Sequence, residues 1–198
     1  MTRKFFLILT ASLLLPATSL AAQPAVVTTG ANAGEGSLRY ALKSGARKIY
    51  IAPSVSTITV SKTLKYKGKK PLSIVGTGQT IDGSKLKDNA SPIFAVTRGA
   101  DLAVENLTFD AGGGNAYGPY NRLNQGGGKG IFVDVPEYRT GVVKVKLTNV
   151  TVMGTGNHGV HISDCTLGDA CGGGSGGGGD GSPASIHVRL VDVLIIDN

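Results

Sequence analysis

The chain has 198 residues, enough for one domain with a core of its own, and 41% of them are apolar, which excludes a fully solvated, unfolded chain. Thirty glycines and no tryptophan are unusual for a compact enzyme. A formal net charge of +7 directs attention to anionic partners.

The N-terminus reads as a secretory leader. Arg3 and Lys4 precede an apolar run over 5–15, and Pro16 and small residues lead to Ser19-Leu20-Ala21 as a cleavage site. The run is too short for the roughly 20 apolar residues that span a bilayer, so no membrane span is expected. Residues 1–21 are assigned to the leader and 22–198 to one domain. The expected location is secreted or periplasmic.

The next segment is strongly basic. Between Ser37 and Ile81 stand Arg39, Lys43, Arg47, Lys48, Lys62, Lys65, Lys67, Lys69 and Lys70, with no Asp or Glu. Such a field attracts polyanions. Outside the cytoplasm an acidic polysaccharide is the expected partner. No aromatics interleave with the lysines as in a single-strand binding groove, so no nucleic acid is expected. Lys62, Lys65, Lys67, Lys69 and Lys70 are the candidate binding residues, and a merely solvated basic surface is the alternative.

Only one helix is expected. Ser37 is placed as its N-cap, Leu38, Ala41 and Leu42 form one apolar stripe, and Gly45 is placed to end it. Short β-branched and aliphatic runs follow at 48–51, 57–60, 72–75, 93–96, 102–104, 107–109, 131–135, 142–147, 150–153, 160–162, 186–190 and 193–196. Three stretches share a theme: DLAVENLTFDA, VKVKLTNVTVMG and IHVRLVDVLIID. In each, two short strands flank a polar residue, and these residues (Asn106, Asn149, Asp192) are separated by 43 positions each time. Asn and Asp tolerate left-handed backbone and suit a bend between strands. A second theme, SPIFAV, GIFVDV and HGVHIS, precedes each bend. Two strand types recurring in one order imply stacked coils of parallel strands, whereas an antiparallel sandwich leaves the constant spacing unexplained.

GEGSLRYALKSG resembles the amphipathic cap that begins many right-handed parallel β-helix proteins of the pectate-lyase-like superfamily. LSIVGTGQTIDG, LAVENLTFDAGG, VKLTNVTVMGTGNHGVHIS and VRLVDVLIIDN resemble successive coils, with Asn106 and Asn149 at the asparagine-ladder position. The resemblance covers residues 26 to 198. It implies an all-β, right-handed parallel β-helix with an N-terminal capping helix. It is poor for activity, because the same coil carries lyases, hydrolases, epimerases, adhesins and other proteins. Because coils need a terminal cap and none follows Ile196, the domain is expected to be the N-terminal part of a longer solenoid, monomeric if further coils extend it.

The resemblance also implies what a catalytic site would contain. Pectate-type lyases hold calcium with clustered carboxylates and use Arg or Lys as base. Asp134, Glu137, Asp164, Asp169 and Asp180 lie near turns, but their spacing matches no calcium motif, and they read as solvated turn residues. In NHGVHIS, His158 and Gly159 match the Gly-His-Gly segment of polygalacturonase-type hydrolases, without the aspartates that should precede it. Asp134, His158 and Asp164 are therefore the candidate catalytic residues. His158 and His161, three apart on a strand, are expected on opposite faces, so no shared metal is assigned. Cys165 and Cys171 are expected to form a disulfide rather than thiols or a metal site, stapling the entry to the glycine tract over 172–181. That tract narrowly misses the calcium nonapeptide ending at Asp180, and calcium is the one cofactor left open. Two functions follow: an exported module binding carbohydrate or a surface partner, or a lyase, hydrolase or epimerase acting on an acidic glycan.

Overall fold

The computed structural model describes residues 23–86, 91–112, 129–156, 158–163 and 182–196. The expected leader, Asp164, Asp169, Asp180, the Cys165–Cys171 bond and the glycine tract lie outside the described residues.

The protein is all-β, with parallel sheets. β1 (Ala25–Val27) leads into the one helix among the described residues, α1 (Leu38–Lys43), and then come β2 (Lys48–Ile51), β3 (Thr57–Thr59) and β4 (Leu64–Tyr66). From there the chain alternates between two sheets. β5 (Leu72–Asp82), β7 (Leu102–Asp110), β9 (Val142–Met153) and β11 (Ser185–Ile196) belong to the larger sheet. β6 (Pro92–Val96), β8 (Lys129–Asp134) and β10 (His158–Ser163) join β4 in the smaller one. The orders are β1-β2-β5-β7-β9-β11, with β3 also on β5, and β10-β8-β6-β4.

Stacking places like on like. Ile74, Val104, Leu147 and Leu190 occupy one register row of the larger sheet, and Ile81, Phe109, Val152 and Ile195 another. In both rows the first three side chains are buried, whereas Leu190 and Ile195, on the edge strand β11, are 49% and 42% exposed. In the smaller sheet Leu64, Phe94, Ile131 and Val160 form the corresponding row. These rows close on one apolar core between the sheets.

The long strands bend where expected. Asn106, Asn149 and Asp192 adopt φ values of 55°, 50° and 52°, each in the middle of its strand. The left-handed residue resets the inward–outward alternation, so Val104 and Leu107 both face the core, as do Leu147 and Val150. Asn149 Nδ2 donates to Asn106 Oδ1 at 2.9 Å, tying adjacent bends together. In β5 the bend takes three residues, Gly76-Thr77-Gly78, opposite the single Asn106. There Gln79 turns inward, accepts from the Thr77 backbone N–H at 2.6 Å and donates to the Ala52 carbonyl.

α1 forms as its sequence requires. The Ser37 side chain accepts from the Tyr40 backbone N–H, and Leu38, Ala41 and Leu42 are buried. The helix packs on β1, β2 and β4. β1 and β4 are terminal strands of the two sheets, so its apolar stripe covers core at that end. Two strands escaped the sequence reading. They are β1 and β4, of three residues each, the second set among the lysines of the basic segment.

Asn149→Ala is expected to cost about 1–2 kcal/mol, from left-handed strain in a residue with a Cβ plus one lost side-chain hydrogen bond. Asn149→Gly keeps the backbone geometry and should cost less. Urea unfolding of both variants checks this, and equal stability would show that the bend does not depend on the conformational preference of Asn149.

Candidate functional site

All five lysines singled out by the sequence line one groove of about 1000 Å³ at the helix-covered end. Arg39 and Lys43 of α1 complete its basic lining, and Leu42, Tyr66 and Leu86 supply apolar wall. No carboxylate lines it among the described residues. Lys62, Lys65, Lys67, Lys69 and Lys70 are all exposed.

The groove is held by groups that are not themselves free to bind. The Arg39 guanidinium donates to the backbone carbonyls of Asn32, Thr63 and Lys62, and to Asn32 Oδ1 at 3.0 Å. It thereby fastens the β3–β4 connection, from which Lys62 projects, to the helix. The Thr63 hydroxyl donates to the Pro92 carbonyl at 2.7 Å and continues the tie to β6. Tyr66 closes the next loop, its phenol donating to the Lys70 carbonyl at 2.9 Å. Gly68 lies against that ring so closely that an added Cβ would sit 2.3 Å from the phenol oxygen. Lys67, Lys69 and Lys70 are thus carried on a tight loop folded over an aromatic ring. Lys69 also sets its ammonium 5.9 Å from the ring centroid of Tyr138, an exposed side chain.

A second polar cluster lies on the outer face of the smaller sheet, and here one expectation is corrected. His158 and His161 do not face opposite ways: their ring centroids are 4.9 Å apart. Strict alternation fails in this sheet. In β6, Ile93 and Phe94 both join the apolar cluster between the sheets, while Ala95, also buried, is not part of it. In β8, a Cβ on Gly130 would meet the buried Val152 at 2.2 Å, so this position and Ile131 both face inward. The register then aligns β10 with β8, pairing His158 with Lys129 and His161 with Phe132. Residues three apart thereby share the outer face. The Lys129 ammonium lies 4.9 Å from the Phe132 ring centroid, and the edge of one ring meets the other in the Phe132–His161 pair at 5.3 Å.

Asp134 is also corrected. It is no solvated turn residue but the last residue of β8, 5% exposed, with Oδ1 lacking a hydrogen-bond partner. Burial pushes its carboxyl up to about 6. Burial and the nearby Lys129 ammonium lower both histidines, and His158 lowers His161 further. Of the candidate catalytic residues, Asp134 and His158 stand on neighbouring strands, Asp134 beside Ser163 and His158 beside Lys129, and Asp164 lies outside the described residues. Glu137 stands exposed in a turn. Among the described residues no three His, Cys, Asp or Glu side chains gather to hold a metal, and no helix is long and apolar enough to cross a membrane.

The basic groove was legible as a charge run, whereas the Lys129–Phe132–His161 grouping was missed. Its signal was faint: a glycine after Lys129 and another after His158. Comparison with known proteins adds no identification, since no family model, curated protein or solved structure matches the chain.

The raised carboxyl of Asp134 makes stability depend on pH. Its unfolded value lies near 3.8 and its folded value near 6, so the folded state holds the proton more tightly. The stability this contributes is complete below the unfolded value and lost as pH rises through 6. Asp134→Asn is expected to change the melting temperature little near pH 4. At pH 7.5 it should raise stability by roughly 1–3 kcal/mol, as no charge is then buried. Thermal unfolding at the two pH values checks this, and an equal effect at both would reject it.

Proposed function

We propose that this chain is an exported, non-catalytic module that binds an acidic polysaccharide through the basic groove. We further propose that its two parallel sheets are the faces of a right-handed parallel β-helix of the pectate-lyase-like superfamily. The alternation of the chain between sheets, the in-register rows and the repeated left-handed Asn/Asp bends support that finer fold. The leader-like N-terminus supports export.

The observation that carries the binding reading is the convergence of six exposed lysines on one groove without an acidic neighbour among the described residues. Long ammonium side chains on a surface groove attract repeated carboxylates or sulfates, and the tight loop over Tyr66 limits the ordering entropy lost on binding. A polymer meets several lysines at once, so weak individual contacts act together. Tyr66, the aromatic of the groove lining, is buried and tied to the Lys70 carbonyl rather than open for a base to stack on, which favours an acidic glycan over a nucleic acid.

Retention on immobilised polyuronate or heparin is expected to fall steeply between low and moderate salt, because exposed charges are screened. Reversing Lys65, Lys67, Lys69 and Lys70 to Glu should abolish retention while leaving the melting temperature near that of the native chain. Unchanged retention would reduce the patch to a solvated surface. The same polymers, followed by absorbance of unsaturated products and by reducing ends, should show no turnover. Turnover lost in His158→Ala would replace the non-catalytic reading with an enzymatic one.

A further inference from the structure

The cluster on the outer face of the smaller sheet plays no part in the groove, and it has the composition of a small ligand site. Lys129 and His158 are register partners on β8 and β10, and His161 is the partner of Phe132, over whose ring the Lys129 ammonium is held. His158 is exposed and Lys129 and His161 are half-buried, so a small solute can reach all three. His161 Nδ1 is itself buried and has no hydrogen-bond partner. Among the described residues, one ammonium and two imidazoles converge without a carboxylate paired to them.

We propose that Lys129, His158 and His161 form a binding site for a single oxyanion group, a carboxylate or a sulfate, whose affinity rises as pH falls. The ammonium supplies a permanent charge, and each imidazole adds a donor and a charge when protonated. Metal binding fits less well, because the ammonium repels a cation from both rings. Lys129 already lowers both imidazoles, and an anion between them reverses that effect, so binding takes up protons. The charged groups of the strands packed here are few. β8 contributes Lys129 and Asp134, β10 contributes the two histidines, and β6 contributes none. Asp134 stands at the other end of β8 from Lys129, beside Ser163, and loses its charge below about 6.

The site differs from the groove in its residues and in its pH response, and the lysine reversals above leave it intact. Histidine proton resonances, titrated with pH in chloride, in sodium sulfate and in sodium galacturonate at equal ionic strength, test it directly. Sulfate or galacturonate is expected to move the midpoints of His158 and His161 upward while leaving His187, on β11 of the larger sheet, in place. Binding should be roughly tenfold tighter at pH 5.5 than at pH 8, the change that a one-unit shift in one imidazole produces. Lys129→Gln should raise both midpoints in chloride and remove the response to the anion; the first effect shows that the cluster is still folded. A response to galacturonate alone assigns the site to sugar acids, and a response to both supports a general oxyanion site. If neither anion moves the two midpoints, if all three histidines move alike, or if Lys129→Gln leaves the chloride midpoints unchanged, the proposal fails.

Discussion

Everything in this fold depends on superposition: each strand of a parallel stack must offer its apolar residues at the same height and toward the same side as its neighbours. A row such as Ile74, Val104 and Leu147 is buried because the register leaves no offset between strands. A one-residue slip in any strand would turn a hydrophobic set toward water. Bends are therefore allowed only where every layer bends together. The left-handed Asn106 and Asn149 meet this condition, and their side-chain hydrogen bond joins one layer's bend to the next.

That constraint explains how much of the molecule could be read in advance. In the larger sheet a polar residue stands at the bend, and the interval of 43 residues between bends makes the repeat visible. The capping helix was equally plain, since Ser37, Leu38, Ala41, Leu42 and Gly45 carry local signals that need no tertiary knowledge. The smaller sheet breaks its alternation without any such marker. Ile93-Phe94 and Gly130-Ile131 read as ordinary strand residues, and assuming period two sent His158 and His161 to opposite faces. Asp134 falls inside the run read as a strand at 131–135, but that its side chain is buried there depends on neighbouring layers and was not legible.

The two polar regions divide the smaller sheet between them. Lys65, Ala95, Phe132 and His161 form a single row across it, from the edge of the groove to the imidazole pair. At about 4.8 Å per strand the row spans roughly 14 Å. Its ends are basic and its middle, Ala95 and Phe132, is apolar and buried, so fixed charge at one end and titratable charge at the other are kept apart. Arg39 lies outside this division. Its guanidinium is committed to backbone carbonyls, and it contributes geometry rather than a free charge.

The break in alternation shared by β6, β8 and β10 also governs how this face can change through descent. Gly130 has no room for a side chain, because Val152 and the Gly159 carbonyl occupy the space a Cβ would need. A lineage cannot restore regular alternation in β8 alone, for that would carry Lys129 inward and leave its neighbours out of step. The three strands must be remodelled together or not at all. Exposed outer positions such as His158, by contrast, can be exchanged singly without disturbing the stack, whereas Ala95 and Phe132 are buried. New surface chemistry on this face is therefore accessible by point substitution, while the geometry that presents it is inherited as one block.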